Sequence, residues 1–194
     1  MDEGYIKFNC NWIKAAPCSS LKIEEINSWR DRLYNHGLIG AYANGIGFGN
    51  ISIRSDNNAF IITGSATGIL EKLNENHYVK VNEYDFSQNS LTCIGPIKAS
   101  SESLTHAVIY ESSPETQAVI HIHNLNMWEK YIHKEPTTRS NVSYGTPEMA
   151  HEIKRLFKET DVALKKFIVM AGHEEGIIVF GSSLDEAGKV LIDR

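Results

Sequence analysis

The run Ala118-Val119-Ile120-His121-Ile122-His123 sets two imidazoles into a stretch that is otherwise apolar and rich in β-branched residues. Its length and composition predict a buried strand. Side chains on a strand alternate with a period of two, so His121 and His123 share one face while Ile120 and Ile122 share the other. Two imidazoles are thereby held side by side, as a single metal ion would need. The same pattern also fits two unrelated histidines on a half-buried strand, and the spacing alone leaves both readings open.

Around this strand the chain alternates short β-like runs with amphipathic helices. Ser20, with Leu21, Ile23, Ile26, Trp29 and Leu33, predicts a helix that Gly37 stops. Ile51–Arg54, Phe60–Thr63 and Ser90–Ile94 read as strands, and Ser101 to Ser112 as a helix ended by Pro114. Thr146-Pro147-Glu148 opens another helix whose inner face is Met149, Ile153, Leu156 and Phe157. Phe167–Ala171 and Ile177–Phe180 flank a glycine-bounded turn and read as a hairpin; Ser183-Leu184-Asp185-Glu186 is a capping box before a last helix. The order implies one α/β domain over residues 1–194, with a mixed, largely antiparallel sheet covered by helices.

Composition removes several classes of function. With 42% hydrophobic and 22% charged residues the chain has the makings of a core, against disorder. The longest apolar run, Phe167–Ala171, is far short of the roughly 20 residues of a membrane span. A net charge of -5 disfavours general nucleic-acid binding. Three cysteines without a CxxC suggest neither a disulfide framework nor a cysteine zinc site, and the Met1-Asp2-Glu3-Gly4 start is unlike a signal peptide, so a reducing cytoplasm is expected.

His173 lies in the turn Gly172-His173-Glu174-Glu175-Gly176, where a rigid hairpin would present it. Brought beside the 121–123 strand, it would complete three imidazoles with an open coordination position, the pattern of a catalytic divalent-metal site, most often zinc. An exposed loop histidine is the plain alternative. His106, four residues after Glu102, fits a carboxylate–histidine pair or a ligand pair. Two segments suit an anion. Gly45-Ile46-Gly47-Phe48-Gly49-Asn50 is followed by Thr63-Gly64-Ser65-Ala66-Thr67-Gly68, and Ser100-Ser101-Glu102 stands at a helix start. Turn chemistry and simple capping by Ser100 or Ser101 explain both equally well. Glu102 could move a proton beside a metal, or merely favour the helix dipole.

Taken in order, Gly49-Asn50-Ile51-Ser52, Thr63-Gly64, Ser100-Ser101-Glu102 with His106, the 118–123 strand and Gly172–Gly176 resemble the class II aldolase/adducin family, the group around L-fuculose-phosphate aldolase and L-ribulose-phosphate 4-epimerase. The resemblance implies a three-layer α/β/α fold, commonly a homotetramer with active sites between subunits. It implies His121, His123 and His173 as metal ligands and Glu102 as the acid/base residue, itself able to ligate the metal before substrate binds. Asn50, Thr63, Gly64, Ser100 and Ser101 would surround the phosphate of a small sugar phosphate. The implied reaction is reversible carbon–carbon cleavage through a metal-stabilised enediolate. Aldolases of the family add a tyrosine from a neighbouring subunit, for which Tyr131 and Tyr144 are the nearest candidates here. Epimerisation or dehydration at the same site, and a non-catalytic adducin-like assembly module, are the alternatives; a Schiff base at Lys98 would leave the histidines without purpose.

Overall fold

The computed structural model describes residues 4–18, 21–56 and 58–194. The expected helix start at Ser20 and the Met1-Asp2-Glu3 terminus lie outside the described residues. The first half runs β1 (Asn9–Lys14), α1 (Leu21–Asn35), β2 (Gly40–Ala41), β3 (Gly47–Phe48), β4 (Asn50–Arg54), β5 (Phe60–Thr63), β6 (Tyr78–Asp85) and β7 (Ser90–Gly95). The second half runs α2 (Ser103–Ser112), β8 (Ala118–His123), α3 (Leu125–Tyr131), α4 (Pro147–Glu159), α5 (Val162–Lys165), β9 (Phe167–Val169), β10 (Gly176–Gly181) and α6 (Leu184–Ile192).

Eight strands form one sheet in the order β1-β7-β6-β5-β4-β8-β10-β9. Among these eight described strands β1 and β7 pair in parallel and the other neighbours are antiparallel, as the sequence leads one to expect. Strand alternation sorts the apolar residues into two cores. Phe60 and Ile62 of β5, Val119 of β8 and Ile178 of β10 pack with Leu104 and Val108 of α2 and with Met149 and Ile153 of α4. On the other face, Ile61, Ile120, Ile122, Ile177 and Val179 meet Ile26 and Trp29 of α1 and Leu184 and Leu191 of α6. Helices on both faces of a mixed sheet make the three-layer α/β/α architecture. Each fully buried Ile or Leu contributes about 1.5–3 kcal/mol, so the two cores together dominate the driving force.

The local signals place most elements correctly. Thr146 caps α4, its hydroxyl accepting from Met149 N at 3.3 Å, with Pro147 at the first helical position. Gly37 ends α1 in the left-handed region at φ +66. Two terminal details differ. The helix expected from Ser101 begins at Ser103, with Glu102 at its cap and no side-chain capping bond. Ser100 instead accepts twice through its carbonyl, from Ser103 N at 3.0 Å and Ser103 Oγ at 2.7 Å. In the Ser183 box only half forms, since Glu186 reaches Ser182 N and Lys166 Nζ rather than Ser183 N.

Candidate metal centre

β8 lies between β4 and β10, with His121 opposite Asn50 on one side and Ile178 on the other. Opposed residues point the same way, so the His121 and His123 side chains enter the layer between the sheet and α2. The β9–β10 hairpin carries the third imidazole. Its turn folds His173 back over β8, with His173 N bonded to Met170 O and Gly176 N to His173 O. Gly176 is required there: a Cβ would stand 2.9 Å from His173 O and 3.1 Å from its ring.

The three rings meet. Their centroids are 4.9 Å apart for His121 and His123, 5.2 Å for His121 and His173, and 4.7 Å for His123 and His173. One potential ligand atom from each falls within 4.8 Å of the other two, and His123 Nε2 and His173 Nε2 are 2.9 Å apart. Burial, helped by the neighbouring imidazoles, holds His121 and His123 neutral far below the usual histidine range. Neutral imidazole is the form that binds metal.

Glu102 is 1% exposed, and neither of its carboxylate oxygens has a hydrogen-bond partner. Its Oε1 lies 3.3 Å from His173 Nδ1. His121 Nε2 is likewise buried without a partner. A buried polar atom left unmet costs about 1–3 kcal/mol, so such atoms gathered at one place call for a ligand. Three converging neutral nitrogens match the donor set of a catalytic divalent-metal site, and these residues fit such an ion. Glu102 stands next to that group of three rather than within it.

The phosphate candidates divide. Asn50, Gly64, Ser100 and Ser101 line one small pocket together with Gly47–Gly49 and Ser65–Gly68. Thr63 is not on its wall; its hydroxyl accepts from Ile51 N at 3.2 Å within the sheet. The pocket borders the imidazoles through Asn50, whose Nδ2 is 3.3 Å from His121 Nδ1 while its Oδ1 lacks a partner. Turned end for end, that amide would accept from an Nδ1–H of His121 and keep Nε2 free. Gly49, at φ +74, lets the chain pass close by: a Cβ there would lie 3.1 Å from His121 O.

Other candidates separate cleanly. The Tyr144 ring lies 4.6 Å from that of His173, whereas Tyr131 donates to Arg194 O at 2.7 Å and packs on Phe167. His106 is outside the three-histidine group. Its Nδ1 meets Ser52 Oγ at 2.7 Å, that hydroxyl meets Tyr110 OH at 2.8 Å, and burial depresses its pKa to about 3. Lys98 is exposed, near Cys10 and Cys93.

Two functional features escaped the sequence. Tyr42 OH is 2.7 Å from His123 Nδ1, and buried Arg30 bonds the carbonyls of Thr67, Gly68, Leu70 and Glu71 beneath the pocket loop. Arg30 did leave a trace, since it stands four residues after Ile26 in a core phase of the helix. Tyr42 left none, because its contact is made only by folding.

Comparison with known proteins places the chain among enzymes. The profile of the Class II Aldolase and Adducin N-terminal domain matches residues 31–193. A methylthioribulose-1-phosphate dehydratase of Leptospira biflexa is 28% identical, over 74% of this chain and 80% of that protein. A 3-oxo-tetronate 4-phosphate decarboxylase of Haemophilus influenzae is 32% identical, over 73% of this chain and 70% of that protein. Among solved structures, an L-fuculose 1-phosphate aldolase superimposes with a TM-score of 0.65 at 20% identity, over 91% of this chain and 82% of that one.

Proposed function

This chain belongs to the class II aldolase and adducin N-terminal domain family, and from that premise we propose that it is a metal-dependent lyase that breaks or forms a carbon–carbon bond in a small phosphorylated hydroxy-carbonyl compound. The observation that carries the reading is the convergence of three buried imidazoles from β8 and the β9–β10 turn, beside a buried carboxylate with no hydrogen-bond partner. His121, His123 and His173 hold the ion, for which zinc is the best match to three nitrogen donors. The cation supplies Lewis-acid stabilisation of negative charge growing on a substrate oxygen.

The remaining chemistry belongs to the chain. Asn50, Ser100, Ser101 and the backbone about Gly64 orient the substrate by its phosphate, in a pocket that abuts the imidazoles. Glu102, dry and next to His173, takes a proton from the substrate and returns it. Thr63 serves by holding β5 to β4 rather than by touching substrate. Dehydration at the same site is the second reading, favoured by the similarity to the Leptospira dehydratase. Both outcomes use charge developed beside a carbonyl, so they differ in the leaving group and share the site. The free thiols Cys10, Cys18 and Cys93 suit the cytoplasm. Assembly into a homotetramer is part of the same proposal and rests on the family membership alone.

Elemental analysis of protein purified without chelator tests the premise, with about one divalent ion per chain expected. No metal, and no uptake from added zinc, would remove the lyase reading and leave a binding or assembly module. Metal-loaded protein is then assayed with dihydroxyacetone phosphate plus short aldehydes and with phosphorylated ketoses and 3-oxo acids. Condensation or carbon–carbon cleavage supports the first reading, and water loss the second.

A further inference from the structure

The Tyr42 hydroxyl lies 2.7 Å from His123 Nδ1 and donates to Glu175 Oε2 at 2.8 Å. A phenol has one proton to give, while an ionised carboxylate can only accept. With its proton committed to Glu175, the Tyr42 oxygen can only accept from the imidazole. His123 Nδ1 therefore carries hydrogen, and in a neutral imidazole Nε2 is then a bare lone pair. Nε2 is the atom that stands 2.9 Å from His173 Nε2, inside the three-histidine group.

The surroundings fix these contacts. Phe48 packs on Tyr42 with centroids 4.7 Å apart and stacks on His123 at 5.3 Å and 29°. Glu175 takes φ +68, a left-handed conformation that a residue with a side chain adopts only at a cost. It does so in the turn that delivers His173, and its carbonyl accepts from Asn124 N at 2.9 Å, tying the turn to the end of β8. The same turn thus supplies one ligand directly and controls a second through Tyr42.

We infer that Tyr42 and Glu175 form a positioning relay that sets the tautomer of His123 for a divalent cation. The inference rests on the metal-centre reading above. Neither residue belongs to the ligand group; both act through His123, and partners of this kind typically carry a 10- to 100-fold effect on metal affinity.

Two measurements on the full chain test it. Long-range proton–nitrogen NMR of metal-free, 15N-histidine-labelled protein should find His123 protonated on Nδ1, with Tyr42→Phe moving it toward Nε2. Competition for zinc with a chromophoric chelator should show Tyr42→Phe and Glu175→Ala binding about 10- to 100-fold more weakly, at unchanged melting temperature. An Nε2–H tautomer in the unmodified protein, or both variants binding zinc as tightly as the parent, would overturn the relay. Failure of the parent to take up zinc would instead strike the lyase reading, and the tautomer would still decide the relay. Should Tyr42→Phe not fold, Glu175→Ala carries the test, because that side chain is 23% exposed.

Discussion

Arg30 and Glu102 are each 1% exposed, yet the fold treats the two charged groups in opposite ways. The Arg30 guanidinium donates to four backbone carbonyls of the 67–71 loop and packs over Tyr34 at 4.5 Å. The carboxylate oxygens of Glu102 and Nε2 of His121 are buried with no hydrogen-bond partner among the described residues. A buried charge enclosed by its own fold is a structural fastening. Buried polar atoms that gather without partners mark a place where a ligand would offset their cost.

The sharpest way to break this contrast is to remove each charge. Glu102→Gln should lower turnover by about 100- to 10,000-fold with metal content unchanged, measured as kcat on metal-loaded protein. Its unfolding midpoint in urea should not fall, since the carboxylate accepts no hydrogen bond that the amide would lose. Arg30→Met should do the reverse: a loss of at least about 1–3 kcal/mol in urea unfolding, because four backbone carbonyls lose their donor. A stable Arg30→Met protein would show that the loop holds itself.

Gly176→Ala probes the same contrast through the backbone. The added methyl presses on His173 and should cost about 1–3 kcal/mol, read chiefly as weaker zinc binding. Acid tests the same burial by protonation. Burial holds the His106 pKa near about 3 and keeps His121 and His123 well below their usual range, so the unfolded chain takes up protons that the fold refuses. Below about pH 6.5, stability of the metal-free protein should therefore fall by about 1.4 kcal/mol per pH unit for each imidazole. Urea titrations at pH 7.5, 6 and 5 check the slope, and a flat profile would show that these histidines are not buried neutral.

Legibility followed the range of the interactions. The 118–123 strand, the hairpin and the Thr146 cap were readable because period and turn residues act locally. β1 and β6 were missed: Asn9-Cys10-Asn11-Trp12-Ile13-Lys14 and Tyr78 to Asp85 include Asn, Lys, Glu and Asp, which strands disfavour, and pairing with β7, and for β6 with β5 as well, holds them extended. Ser100 or Ser101 was expected to cap α2, but the cap falls at Glu102, while Ser100 accepts from Glu102 N through its hydroxyl and from Ser103 through its carbonyl. In the site, the histidines announced themselves by type and spacing. Tyr42 and Glu175 did not, since the bond joining residues 133 apart in sequence exists only after folding.

Because His121 and His123 alternate with the isoleucines of β8, their orientation is a property of how that strand is threaded between β4 and β10. A slip of one residue would send both imidazoles toward α1 and deliver Ile120 and Ile122 in their place. The three-histidine group is accordingly complete only once the central strand and the C-terminal hairpin have docked.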